Sequence, residues 1–331
     1  MFRAAHLLLI PLVVCSLACT ATSKEIIDPE EAKADPDFAI QGEYVGEYTN
    51  DEGKKRKAAC QVIARGGGKF ELLALPGGLP GAGWKRGDKS WRLNGELKDG
   101  AMTLTDEDGT TYHLKFADGA MKVREADSDA VITMKRIERK SPTLGAKPPE
   151  GAVVIFDGKH VEMFEGDVTS HLTKDGLISG VTTKPELNSY QLHLEFRLSW
   201  MPEARGQGRS NSGVYLHDTY ECQVLDSFGL EGYNNECGGF YKVKEPDVNM
   251  CLPPLVWQTY DVDFTAPEYK DGKKVKNARV TLRHNGVVIH DDLEFKGGTP
   301  GRKPEGPGPR GLHLQGHGNK VMYRNIWLVP K

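Results

Sequence analysis

Glu221, Gln223 and Asp226 stand at positions 0, +2 and +5 of one short stretch, YECQVLDSFG at 220–229. Read as a strand, it turns Glu221 and Gln223 to one side and Cys222 and Val224 to the other, with Asp226 at the next bend. A carboxylate and an amide sharing a strand face either lie in water or floor a site. The same alternation recurs in QLHLEFRL (191–198). There Leu192, Leu194, Phe196 and Leu198 share one face, and Gln191, His193, Glu195 and Arg197 share the other. In GLHLQGHG (311–318), Leu312 and Leu314 oppose His313, Gln315 and His317, while Asn211, Tyr215 and His217 lie upstream of Tyr220. Wet sheet faces usually carry Lys, Ser, Thr and Glu. These segments lack Lys and hold planar, directional groups suited to an array of hydroxyls.

Such residues need strands to hold them, and the chain supplies little else. Helical periodicity is almost absent, and short alternating runs bounded by Gly, Asp and Asn predict an all-β protein. Residues 38–140 read as a small antiparallel meander or barrel, its strands separated by turn pairs such as Asn94-Gly95, Asp99-Gly100 and Asp118-Gly119. Residues 141–150 form a Pro/Gly-rich linker. Residues 151–331 carry longer, evenly spaced strands that predict a two-sheet jelly-roll sandwich. Ahead of these, residues 22–37 read as an acidic spacer. Residues 1–21 read as a secretory signal, an apolar run behind Arg3 followed by small residues. Cys19 sits where a bacterial lipoprotein would be cleaved and acylated, so the expected location is periplasmic or membrane-anchored.

The 331 residues are 27% charged with a formal net charge of -3, which argues against a nucleic-acid partner. Export permits disulfides. Cys237 and Cys251 bracket one loop and are the expected pair, worth on the order of 3 kcal/mol. No cysteine or histidine spacing suits structural zinc.

The segments VIFDGK (154–159), LEFRL (194–198), NSGVYL (211–216), YECQVLDS (220–227), WQTYDVDF (257–264), HNGVVIHDD (284–292) and GPRGLHLQGHGNKVMYRNIWLVP (308–330) resemble, in order, the 3-keto-disaccharide hydrolase family. The form with NMCLPP (249–254) and DGKKVKNARV (271–280) is similar to that of planctomycete-type bacteria. The resemblance implies a concanavalin-like sandwich acting on oxidised sugars. It departs at Gly316, where the family's Gln-Asp-His-Gly-Asn segment carries a carboxylate.

For a 3-keto-glycoside substrate, the implied chemistry is removal of the C2 proton, loss of the C1 substituent and addition of water. That needs a base, an acid and help for the enolate. Glu221 and Glu195 are the expected base and acid, two neighbouring carboxylates raising one pKa, with His317 as a third catalytic group. Arg197, Asn211, Tyr215, His217, Gln223 and Gln315 are the expected substrate contacts. His193, Glu195 and His217 could hold a divalent metal ion, although nothing in the spacing demands one. Two other readings stay open. One is a non-catalytic sugar-binding sandwich using Trp200, Tyr215, Trp257 and Tyr260 as platforms. The other is a laminarinase-like glycoside hydrolase in which the 0, +2, +5 set replaces Glu-x-Asp-x-x-Glu.

Overall fold

The computed structural model describes residues 24–50 and 52–331. The expected signal at 1–21 and Cys19 lie outside them. The period-two pattern of the first half turns Tyr44, Cys60, Val62, Phe70, Leu72, Leu93, Met102, Leu114 and Met134 to one side. A sheet that must bury one face by itself does so by closing. Eight strands do this here: β1 (Gly42–Thr49), β2 (Lys55–Gly66), β3 (Lys69–Pro76), β4 (Trp91–Lys98), β5 (Ala101–Thr105), β6 (Thr111–Ala117), β7 (Ala120–Glu125) and β8 (Val131–Ile137). Each pairs with the next, and β8 returns to β1 with Glu43 opposite Ile137, so this barrel has no free edge. The turn chemistry is as expected at Asp99-Gly100 and Asp118-Gly119. Both residues of each pair adopt positive φ, the geometry that matches the twist of a two-residue hairpin. Asn94-Gly95 instead lies inside β4, where Gly95 leaves room for Met102 and Leu104.

The second half is a sandwich. Its larger sheet runs in the order β9 (Val153–Phe156), β18 (Met322–Pro330), β11 (Tyr190–Arg197), β14 (Trp257–Thr265), β15 (Ala278–His284) and β16 (Val287–Phe295). The smaller sheet is β10 (Val181–Thr182), β17 (His313–Leu314), β12 (Ser212–Leu216) and β13 (Tyr220–Val224). Leu192, Leu194 and Phe196 from the first pack against Val214, Leu216, Cys222 and Val224 from the second. The outer faces of the two sheets therefore look in opposite directions.

Two segments expected as connectors are built into the fold. In place of a spacer, residues 24–40 include two short helices, α1 (Pro29–Ala32) and α2 (Pro36–Ile40). Each is capped by an aspartate, Asp28 or Asp35, with proline at its start. Ile26 bridges to Trp200 of the sandwich, whose indole is fully buried. That indole meets Phe38 edge-on at 5.3 Å and donates to Asp35 Oδ2 at 2.8 Å. The expected Cys237–Cys251 disulfide is also corrected. Both are buried free thiols, Cys237 Sγ lying 3.2 Å from the Tyr260 hydroxyl and Cys251 donating to the Leu225 carbonyl. Packing and hydrogen bonding hold this loop without a crosslink.

Candidate functional site

The shared catalytic face is not what forms. His193, Glu195 and Arg197 project from the outer face of the larger sheet, and Glu221 and Gln223 from the outer face of the smaller one, across the core. Glu195 lies beneath the linker. It accepts from the Gly145 amide at 2.6 Å, from Arg324 Nε at 2.6 Å and from Asn325 Nδ2 at 3.0 Å. A bulge opposite β11, with Asn325 at φ 45°, turns both donors towards it. His193 bonds Asp261 at 2.6 Å and stacks on Trp327 at 5.0 Å. Burial raises the Glu195 pKa, but His193, Asn325, Arg324 and the Gly145 amide outweigh it and hold the group at about 2. Burial likewise lowers that of His193, and Asp261 and Glu195 reverse this, lifting it to about 9. Arg197 donates to the Ile27 carbonyl and Asp175 and sits 4.9 Å from the Trp257 ring centroid. The three hold connecting segments onto the sheet. They do not reach Glu221.

Glu221 has different surroundings. It is 3% exposed, paired in register with Tyr215 on β12. Gly213 makes room for it, since a Cβ there would lie 2.5 Å from Glu221 Oε1. Burial pushes the carboxyl up to about 7, and the Tyr215 hydroxyl, bonding to the carboxylate, is what limits the rise. The same burial and the nearby carboxylate drive the phenol far above its usual range, keeping it a neutral donor. Gln315 Nε2 reaches the phenol oxygen at 3.3 Å, while Gln315 Oε1 has no partner. His313 sits opposite Tyr215, its Nδ1 2.9 Å from the Thr182 hydroxyl. Burial and the Arg302 charge lower it to about 4, leaving a neutral ring at ordinary pH. A strap of residues 297–310 crosses this floor. Thr299 Oγ1 receives the Glu221 amide at 2.8 Å, and a Cβ at Gly301 would lie 2.6 Å from the Tyr215 hydroxyl. Arg302 and Lys303 pin the strap to Asp218 at 2.7 and 2.8 Å. A buried carboxyl titrating near neutrality beside a neutral phenol is the pairing of groups that general acid–base chemistry can use.

Residues 151–329 match the model of the 3-keto-alpha-glucoside-1,2-lyase-like domain. The chain belongs to that family. Three crystal structures of Parabacteroides distasonis proteins, each described as a candidate glycosyl hydrolase, are also similar. They are 28%, 20% and 21% identical and cover 55%, 55% and 54% of this chain and 85%, 94% and 99% of their own, with TM-scores of 0.49, 0.39 and 0.39. No curated protein gave a match.

In this 3-keto-alpha-glucoside-1,2-lyase-like domain the other expected residues have separate places. Gln223 Nε2 donates to Asn211 Oδ1 at 2.9 Å, and Asn211 is tied to Gln207 and Asn319, so these amides make a fixed network beside Glu221. His317 is exposed in the loop after β17. His217 occupies the β12–β13 turn at φ 53°, its ring 5.7 Å from Phe264. Burial and Arg310 lower its pKa to about 4. The expected metal set is corrected, because His217 is on the other sheet from His193 and Glu195. Among the described residues no three His, Cys, Asp or Glu side chains gather as a metal site. Asp226 is fully buried against Arg209 at 2.5 Å, where it braces the bend. Gly316 packs on Gly180, a Cβ there being 3.0 Å from the Gly180 Cα. His313 fell on the outward-facing side of the alternating pattern. Thr299 and Arg302 belong to a Gly/Pro-rich loop with no periodicity to mark them.

Proposed function

We propose that the sandwich cleaves or hydrates 3-keto-glycosides by elimination, with Glu221 as the base. The ketone at C3 acidifies the C2 hydrogen. Glu221 takes that proton, the C2–H electrons form the enolate, and Tyr215, still protonated, donates to its oxygen. Collapse of the enolate restores the C3 carbonyl, forms the C1–C2 double bond and expels the C1 oxygen substituent, which leaves with the proton that Glu221 took from C2. Addition of water across that bond completes a hydrolysis. The observation that carries this reading is the environment of Glu221: a base of pKa near 7 matches neutral working conditions without a metal-bound hydroxide or a second carboxylate.

Two alternatives have less support. Asp226 is committed to Arg209, so the 0, +2, +5 set does not provide the two free carboxylates of ordinary retaining hydrolysis. Trp200, Tyr215 and Tyr260 are buried, and Trp257 is covered by Arg197 and Arg324. They make no open stacking platform for a lectin. Export, with a lipid on Cys19, is part of the same proposal and would put the enzyme where extracellular sugars arrive.

The test is a panel of 3-keto-glucosides and their unoxidised parents, followed by NMR in deuterated water. Aglycone release from keto substrates alone, with deuterium at C2 of returned substrate or hydrated product, is expected. The kcat/KM should rise with pH through about 7. Glu221→Gln should lose about a thousandfold in kcat. Release from unoxidised glucosides, or full activity in Glu221→Gln, overturns the proposal.

A further inference from the structure

We infer that the N-terminal barrel is a binding vessel for one uncharged, largely apolar small molecule with a hydrogen-bonding group at one end. An eight-stranded barrel is just wide enough either to be filled by its own side chains or to hold one small ligand. This barrel does both, at opposite ends. Towards α2 it is packed with Tyr44, Phe70, Met102 and Phe116, and closed by Phe38 and Trp200. Towards the other end it is hollow, with a cavity of about 530 Å³. The void has a cause in the sequence. Adjacent strands β2 and β3 place Ala58, Cys60 and Ala74 on its wall, where larger side chains would have filled it. Native interiors seldom leave such a space unfilled, because its lining forfeits contacts that a ligand would restore.

The chemistry of the wall selects the guest. Leu72, Leu93, Leu104, Leu114, Val123 and Ile132 make the body apolar. At the mouth stand Trp91, half exposed despite its size, and Asp106, which accepts from the Thr110 amide at 2.8 Å and from the Tyr112 hydroxyl at 3.3 Å. Asp108 adds a second carboxylate, and the residues lining the cavity include no Lys, Arg or His. A long-chain carboxylate would bring its charge against two like charges, whereas a hydroxyl or N–H would meet acceptors. The cavity therefore suits alcohols, phenols and other neutral amphiphiles better than fatty acids. This preference does not depend on the reaction assigned to Glu221.

The probe is N-phenyl-1-naphthylamine, uncharged and carrying one N–H, titrated into the purified protein. Saturable binding of one equivalent with quenching of tryptophan emission is expected. Dodecanol should displace it at concentrations about tenfold below dodecanoate. Ala74→Phe, which fills the void, should weaken binding by about tenfold or more, and Trp91→Ala by severalfold with unchanged melting temperature. If Ala74→Phe does not fold, Ala58→Leu on the neighbouring strand carries the same expectation. Absence of saturable binding, undiminished binding in the filled variants, or dodecanoate competing as well as dodecanol would overturn the inference. Trp91→Ala should leave turnover of keto-glycosides untouched, which separates this result from any failure of the Glu221 assignment.

Discussion

At the scale of single residues, the protein holds two buried glutamates in opposite electrostatic states. Glu195 has four groups favouring its charge and titrates near 2, while Glu221 has one and titrates near 7. The second arrangement is costly above neutrality. With the folded pKa above the unfolded value of 4.5, the native state binds this proton more tightly than the unfolded chain. Stability from this group is thus full below about pH 4.5 and is lost as pH rises through 7. Glu221→Gln removes that loss. Its melting temperature should exceed the parent's by roughly 5 °C at pH 8, on the order of 3 kcal/mol, and by little at pH 4. Equal melting curves at both pH values would mean that Glu221 ionises as an ordinary solvated carboxylate. Strand alternation named Glu195 and Glu221 alike in the sequence. It could not separate them, because a period of two says which residues share a face of one strand and nothing about which sheet that strand joins.

Elements show the same limit and its remedy. The all-β character, the hairpin turns and the two kinds of strand run were legible, because each is written in local pattern and glycine placement. The roles of the connectors were not. The stretch from Ser141 to Ala146 lacks periodicity, yet Ser141 and Thr143 bond to Thr259 and Asp261, and Gly145 and Ala146 bond to Glu195 and Asn325. Those partners lie far apart in sequence and come together only through sheet order. The strap over Glu221 escaped notice for the same reason. The titration of His193 gives the linker a pH dependence. A pKa raised from 6.5 to about 9 contributes stability that is complete below about 6.5 and disappears as pH climbs through 9, while the Glu195 contribution is present above 4.5 and lost towards pH 2. Trypsin cleavage after Lys140 should therefore accelerate between pH 7 and 9 beyond the change in the protease itself. Glu195→Gln should speed it by about threefold to tenfold at pH 7, with kcat for keto-glycosides unchanged. A collapse of kcat in that variant would return Glu195 to the catalytic machinery.

At the scale of the whole molecule, two interiors share side chains across the boundary between the halves. Trp200 leaves the sandwich to complete the base of the barrel, and Ile63 of the barrel packs against Phe228 of the sandwich, where Gly229 leaves it room. Arg92 and Arg86 add bonds to the Gly229, Gly232 and Pro246 carbonyls. Calorimetry should accordingly record a single transition. Trp200→Ala should lower it by about 3–5 kcal/mol for both halves together, and two resolved peaks in the parent protein would contradict the shared interior. The closure of β8 on β1 has another result. Gly42, where the chain enters the barrel, and Ile137, where it leaves, lie on adjoining strands at the same end. A ring whose two ends meet is, in evolutionary terms, a cassette. Its far hairpins can lengthen and its cavity wall can be rewritten without re-routing the rest of the chain.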